Sequence, residues 1–143
     1  MPGKIRYNKV IDLLEQGKPV FSSGLVWNGN LDDLTFIADS DYDMVIIEME
    51  HEGLSFNNLR ASLQFLLNRR RILEKGNLQP DVVPMVRIPP NAREQNQWVI
   101  KQALDTGVYG LVQPHLNTVE EARAAVVAAR YPQVPGVADF DPP

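Results

Sequence analysis

At 143 residues, with 44% hydrophobic and 22% charged side chains, the chain has the length and composition of one globular domain. Fourteen Lys and Arg against eighteen Asp and Glu leave a formal charge of −4, which argues against nucleic acid, because phosphate binding needs a clustered positive surface. The absence of cysteine excludes a disulfide framework, a zinc–thiolate site and a Cys nucleophile. The N-terminal stretch lacks the apolar core of a signal peptide, and no run approaches the roughly 18 apolar residues of a membrane span. A soluble, cytoplasmic protein is the expectation.

In chain order, NKVIDLLEQGKP (8–19) puts Val10, Ile11, Leu13 and Leu14 on one helical face, with Gly17 as a stop and Pro19 beyond it. VFSSGLV (20–26) reads as a short strand followed by a WNGN turn, and LDDLTFIADSD (31–41) as an amphipathic helix capped by Asn30. MVIIEME (44–50) is the next strand. SFNNLRASLQFLLNRRRILEKG (55–76) predicts one long helix from a Ser55 cap to Gly76, with Arg69, Arg70 and Arg71 on a solvated face. VVPMVRI (82–88) is a third strand whose regular part starts near Met85, because Pro84 cannot donate to a ladder. A helix over 93–107, a strand over 109–115 and a helix over 118–132 follow. The last carries a capping box, Thr118 with Glu121 three residues on. The tail, PQVPGVADFDPP, fits neither element and reads as a connection to further structure.

A helix followed by four strand–helix units implies an α/β fold with parallel pairing and right-handed crossovers. Two architectures suit this, a small doubly wound sheet or half of a TIM (β/α)8 barrel. The turn SSGLVWNGN has neither of the Gly-rich phosphate-binding spacings expected of an open nucleotide-binding sheet. Polar residues gather instead at the C-terminal ends of the strands, where barrel active sites are built.

Alternation in 44–50 sets Ile46, Glu48 and Glu50 on one side and Val45, Ile47 and Met49 on the other. If the first set points inward, two carboxylates line the mouth with His51 on the rim, and a carboxylate-held His can act as general base and then acid near neutral pH. Otherwise Glu50, His51 and Glu52 form a solvated loop and Glu48 alone reaches the mouth. Arg87 ends its strand as a fork for a carboxylate or keto-acid substrate, or as an ion-pair partner of Glu48, or both. His115 ends the fourth strand near the same rim, where a loop hydrogen bond would explain it equally well. Asp105, in the last turn of its helix, belongs to the opposite end and to structure. Trp27 either walls the site or packs beneath it.

The pieces YDMVIIEMEHEGLSFNNLR, VPMVRIPPN and IKQALDTGVYGLVQPHLNTVEEARAAVVAARYP resemble, in order and spacing, the HpcH/HpaI aldolase/citrate lyase family of pyruvate/phosphoenolpyruvate-type barrels, from about residue 8 to 136. The resemblance implies a (β/α)8 barrel, of which this chain has the first four βα units plus an N-terminal helix. It implies metal-dependent aldol cleavage or condensation of a 4-hydroxy-2-oxo acid to pyruvate, or a close 2-oxo acid, and an aldehyde. Arg87 matches the family's substrate-binding and enolate-stabilising arginine. His51 matches its acid/base histidine, working with the acid three positions earlier, which is Glu48 here where better-known members carry Asp. A divalent ion (Mg, Mn or Co) is implied, with ligands on later strands beyond residue 143, so none is assigned here. The fragment alone is expected to be inactive, and the complete protein a homo-oligomer, trimer or hexamer, acting on a small-molecule oxo acid and aldehyde. Rival readings on the same barrel are a citryl- or malyl-CoA-type lyase and a decarboxylating condensation enzyme; a truncated, non-catalytic half-barrel is the third.

Overall fold

The computed structural model describes residues 6–90, 95–131 and 135. Its elements are α1 (Lys9–Glu15), β1 (Ser22–Trp27), α2 (Leu31–Ala38), β2 (Met44–Glu48), α3 (Phe56–Leu66), α4 (Arg69–Lys75), β3 (Val83–Arg87), α5 (Gln97–Asp105), β4 (Gly110–Val112) and α6 (Val119–Ala128). The strands pair in parallel in the order β1-β2-β3-β4. Sequential parallel order has a steric consequence: every right-handed crossover carries its helix to the same side, whereas a doubly wound sheet reverses direction part-way. The core confirms one-sided winding. Val26, Val45, Ile47 and Val86 on three strands, with Ile88 just past β3, pack with Leu34 of α2, Leu59 of α3, Ile100 of α5 and Ala128 of α6. On the other face Leu25 and Trp27 are 50% and 57% exposed, so β1 leaves apolar surface open there.

Local signals set most of the helix starts. Asn30, Ser55 and Thr118 each accept the backbone N–H of the third residue of α2, α3 and α6, and the Thr118–Glu121 capping box is complete. The helix expected over 55–76 is broken. Leu67 leaves helical geometry, and Asn68 caps a separate α4 by accepting from Arg71 N–H at 3.1 Å while its amide donates to Asp39 Oδ1 at 2.7 Å. Of the three arginines Arg69 and Arg70 are exposed as expected, whereas Arg71 donates to the carbonyls of Asp39 (2.8 Å) and Ser40 (3.0 Å), satisfying the C-terminal end of α2. Pro84 lies within β3, paired with Val45, and its carbonyl accepts from Tyr109 N–H at 2.9 Å. Its missing N–H would face the same side, before β4 begins, so the ladder forfeits no donor. The helix expected from 93 begins at Gln97, with 93 and 94 outside the described residues; the last strand is shorter than expected, ending at Val112.

Across the opposite end of the sheet lies α1. Lys9 Nζ is 2.7 Å from Asp43 Oδ1 and donates to the Asp81 carbonyl at 2.9 Å, while Asp43 Oδ2 accepts from Phe21 N–H at 2.9 Å. Burial alone would raise the Asp43 carboxyl, but Lys9 and the Phe21 N–H outweigh it and hold the group below its usual value. A depressed folded pKa stabilises fully above the unfolded value, and that contribution disappears as pH falls through the folded one. Asp43→Asn should therefore cost about 1–3 kcal/mol at neutral pH. In denaturant titrations the gap from wild type should close on acidification; a gap that persists at low pH would contradict this account.

Candidate active site at the strand ends

Register brings Trp27, Glu48 and Arg87 side by side at the C-terminal ends of three adjacent strands. Glu48 ties the end of β2. Its Oε1 accepts the N–H of Glu50 at 2.6 Å and of His51 at 3.1 Å, turning the chain immediately after the strand. Its Oε2 accepts from Arg87 Nε at 2.6 Å and also meets Arg87 Nη2. Burial would raise the Glu48 carboxyl, yet the guanidinium and the two N–H groups together hold it below the usual carboxylate range. The hydrogen bond to Glu48 in turn holds Arg87 above its usual value.

Glu50 is the less obvious centre. Its side chain is 3% exposed, with Oε2 3.1 Å from Arg87 Nε and 3.4 Å from His51 Nε2, and Oε1 3.5 Å from His115 Nε2. Two buried carboxylates therefore face one guanidinium, with an imidazole on either side. His51 and His115 are each about two-thirds exposed, 68% and 69%, so their rings look outward from the carboxylate. A pocket of about 220 Å³ opens beside His51, lined by Leu25, Val26, Trp27, Glu48, His51 and Arg87.

Of the residues singled out from sequence, Glu48, His51 and Arg87 meet at one rim, and Trp27 is a wall of the site. Glu50 joins them although β2 has already ended, because the turn tied by Glu48 carries it inward; Glu52 stays exposed. The carboxylate facing the His51 ring is that of Glu50, while Glu48 reaches His51 through its backbone N–H. Asp105 closes α5, exposed and leading into β4 from its N-terminal end, away from the rim. The contact between Glu50 and His115 carried only a weak sequence signal, a polar residue after the last strand, since it depends on the register of β2, β3 and β4.

Over residues 28–136 the chain matches the family model described as HpcH/HpaI aldolase/citrate lyase. It is 30% identical over 124 residues to a hydroxypyruvate/pyruvate aldolase of Rhizorhabdus wittichii, covering 87% of this chain and 43% of that protein. It is 33% identical over 97 residues to a 2-keto-3-deoxy-L-rhamnonate aldolase of Klebsiella pneumoniae subsp. pneumoniae, covering 68% and 31%. Among solved structures, an HpcH/HpaI aldolase/citrate lyase family protein of Burkholderia cenocepacia J2315 superposes with a TM-score of 0.69 at 26% identity, over 95% of this chain and 48% of that one. The chain thus spans less than half the length of these relatives.

Proposed function

The chain belongs to the HpcH/HpaI aldolase/citrate lyase family, and from that premise we propose that its four βα units are half of a (β/α)8 barrel that cleaves or forms a C–C bond in a 4-hydroxy-2-oxo acid. The observation that carries this reading is Arg87, gripped by two buried carboxylates at the strand-end rim beside a small pocket. Two relatives named as aldolases of pyruvate-type or 2-keto acids point to the same substrate class. Sequential, one-sided winding supports the barrel.

In this proposal Arg87, with five N–H donors, keeps some for the planar carboxylate and keto oxygens of the substrate while the others hold Glu48 and Glu50. It stays charged throughout, so it offsets negative charge building on the keto oxygen as the bond breaks. His51 takes the proton of the 4-hydroxyl, backed by Glu50. Trp27 and Leu25 form the apolar wall that limits water at the reacting carbons. A divalent cation enters through the family. Among the described residues no three His, Asp or Glu side chains gather to hold one, and Glu48 and Glu50 are spent on Arg87 and backbone N–H groups. The described residues therefore do not make its cradle, and its ligands would come from elsewhere.

The test is product analysis with the barrel complete. Pyruvate and an aldehyde should be released from a 4-hydroxy-2-oxo acid in the presence of Mg²⁺ or Mn²⁺. Turnover of a CoA thioester in place of simple oxo acids would transfer the reading to a citryl- or malyl-CoA-type lyase. A separate expectation concerns residues 1–143 alone. The edges of β1 and β4, unpaired among the described residues, and the open apolar face over Leu25 and Trp27 should drive association. Sedimentation should show species larger than a monomer; a monodisperse, cooperatively melting monomer would count against the half-barrel.

A further inference from the structure

We propose that His115 is a second catalytic proton carrier in this site, delivering a proton to C3 of the departing 2-oxo acid while His51 serves the hydroxyl. The inference rests on the aldolase reading above and names a residue that reading does not use. Its basis is the symmetry of the imidazoles about Glu50. The chain has two histidines, and both bring Nε2 to within 3.5 Å of this one buried carboxylate, one on each oxygen. They come from opposite sides of β3: His51 follows β2, His115 follows β4, and Arg87 lies between. A substrate held by Arg87 would therefore have an imidazole at each flank.

The backbone at His115 strengthens the case. Its φ is +59°, and Gln95 is the only other non-glycine with positive φ among the described residues. Glycine would occupy that conformation freely, and most side chains resist it. Here an imidazole is held in it, with the His115 carbonyl accepting from Asn117 Nδ2 at 3.0 Å, and the ring arrives at Glu50. Backbone strain that aims a titratable ring at a buried carboxylate on a substrate rim is the pattern found at working sites.

The chemistry needs two proton transfers at different atoms. His51 takes the O4 proton as C3–C4 breaks; the C4–O bond becomes the aldehyde carbonyl and the bonding pair passes to C3, forming the enolate. Protonated His115 then gives its proton to C3, which becomes the pyruvate methyl group. His51 ends protonated and His115 neutral. Glu50, in contact with both rings, lies on the path that returns one proton and resets the pair.

The decisive measurement is exchange of the pyruvate methyl protons in D2O, followed by NMR with the complete barrel and added Mg²⁺. This requires proton transfer at C3 and no aldehyde chemistry. His115→Asn removes the imidazole while suiting the left-handed backbone, and should slow exchange by about 10²-fold or more. His115→Gly, which tolerates the same φ, is the second variant should the first lose structure, and should show the same loss. In the wild type, oxalate should move the ring resonances of both histidines. Exchange in either folded variant within about twofold of wild type, or a His115 ring that ignores oxalate, would overturn the inference and leave the aldolase reading standing. A wild type that neither exchanges pyruvate nor cleaves hydroxy-oxo acids would overturn both together; one that cleaves without exchanging overturns the role of His115 alone.

Discussion

Arg87→Lys should lower kcat/KM of the complete barrel by roughly 10²–10³-fold, with KM raised and kcat reduced, the size of loss that follows removal of a preorganised donor at a developing oxyanion. Lysine keeps the charge and loses the planar fork. At this position the fork has two duties, since Nε and Nη2 already serve Glu48 and Glu50. An ammonium in its place cannot face two carboxylates and a planar keto acid in one geometry. The competing account is that Arg87 anchors the carboxylates and does nothing else. It predicts a lowered melting temperature with kcat/KM near wild type in the surviving folded protein. Melting and pyruvate kinetics on the same variant separate the two. Arg70→Lys is the control: Arg70 pairs with Glu74 at 2.8 Å on an exposed helix face, and its exchange should be close to silent in both readouts.

Glu48 supplies the acid side of the same experiment. Its carboxyl is held below the usual value of 4.5, so its contribution to stability is complete above that value and lost as pH falls through the lower folded one. Protonation there weakens one of the two carboxylate holds on Arg87 and loosens the N–H groups of Glu50 and His51 with it. The rim should loosen before the helix-side core, whose residues carry no charge.

What could be read from sequence follows the range of the interaction that decides it. Caps at Asn30, Ser55 and Thr118, and the left-handed Gly76, are decided within a few residues, and all lie where the sequence places them. The break at Asn68 was hidden because the residues around it sustain a helical apolar pattern on both sides. The competing pull comes from Asp39, 29 residues earlier, which holds the Asn68 amide. The Glu48–Arg87 pair was legible from two strand ends of matching length, which only needed β2 and β3 to be neighbours. Glu50 with His115 was not. It depends on a turn after one strand, a strained residue after another, and a third strand between them. Such a contact exists only once the sheet has formed.

His51→Ala should reduce kcat for aldol cleavage by roughly 10²–10⁴-fold, the usual worth of a positioned general base. Because the ring is two-thirds exposed and buries almost nothing, the melting temperature should hardly move. Its acidic neighbours should behave differently from it and from each other. Glu50 faces the ring at 3.4 Å, so Glu50→Gln should reproduce much of the kinetic loss by leaving the imidazolium without its counter-charge. Glu48 reaches His51 only through the backbone N–H, at 3.1 Å, and its main partner is Arg87. Glu48→Gln should therefore lower stability, by about 1–3 kcal/mol, and affect proton transfer less than Glu50→Gln does. That ordering sets the geometry found here against what the family resemblance implies, that the acid three residues before the histidine is its partner. A larger kinetic loss for Glu48→Gln at equal folded fraction would return the partnership to Glu48. Cleavage by His51→Ala within a few-fold of wild type would remove His51 from the mechanism altogether.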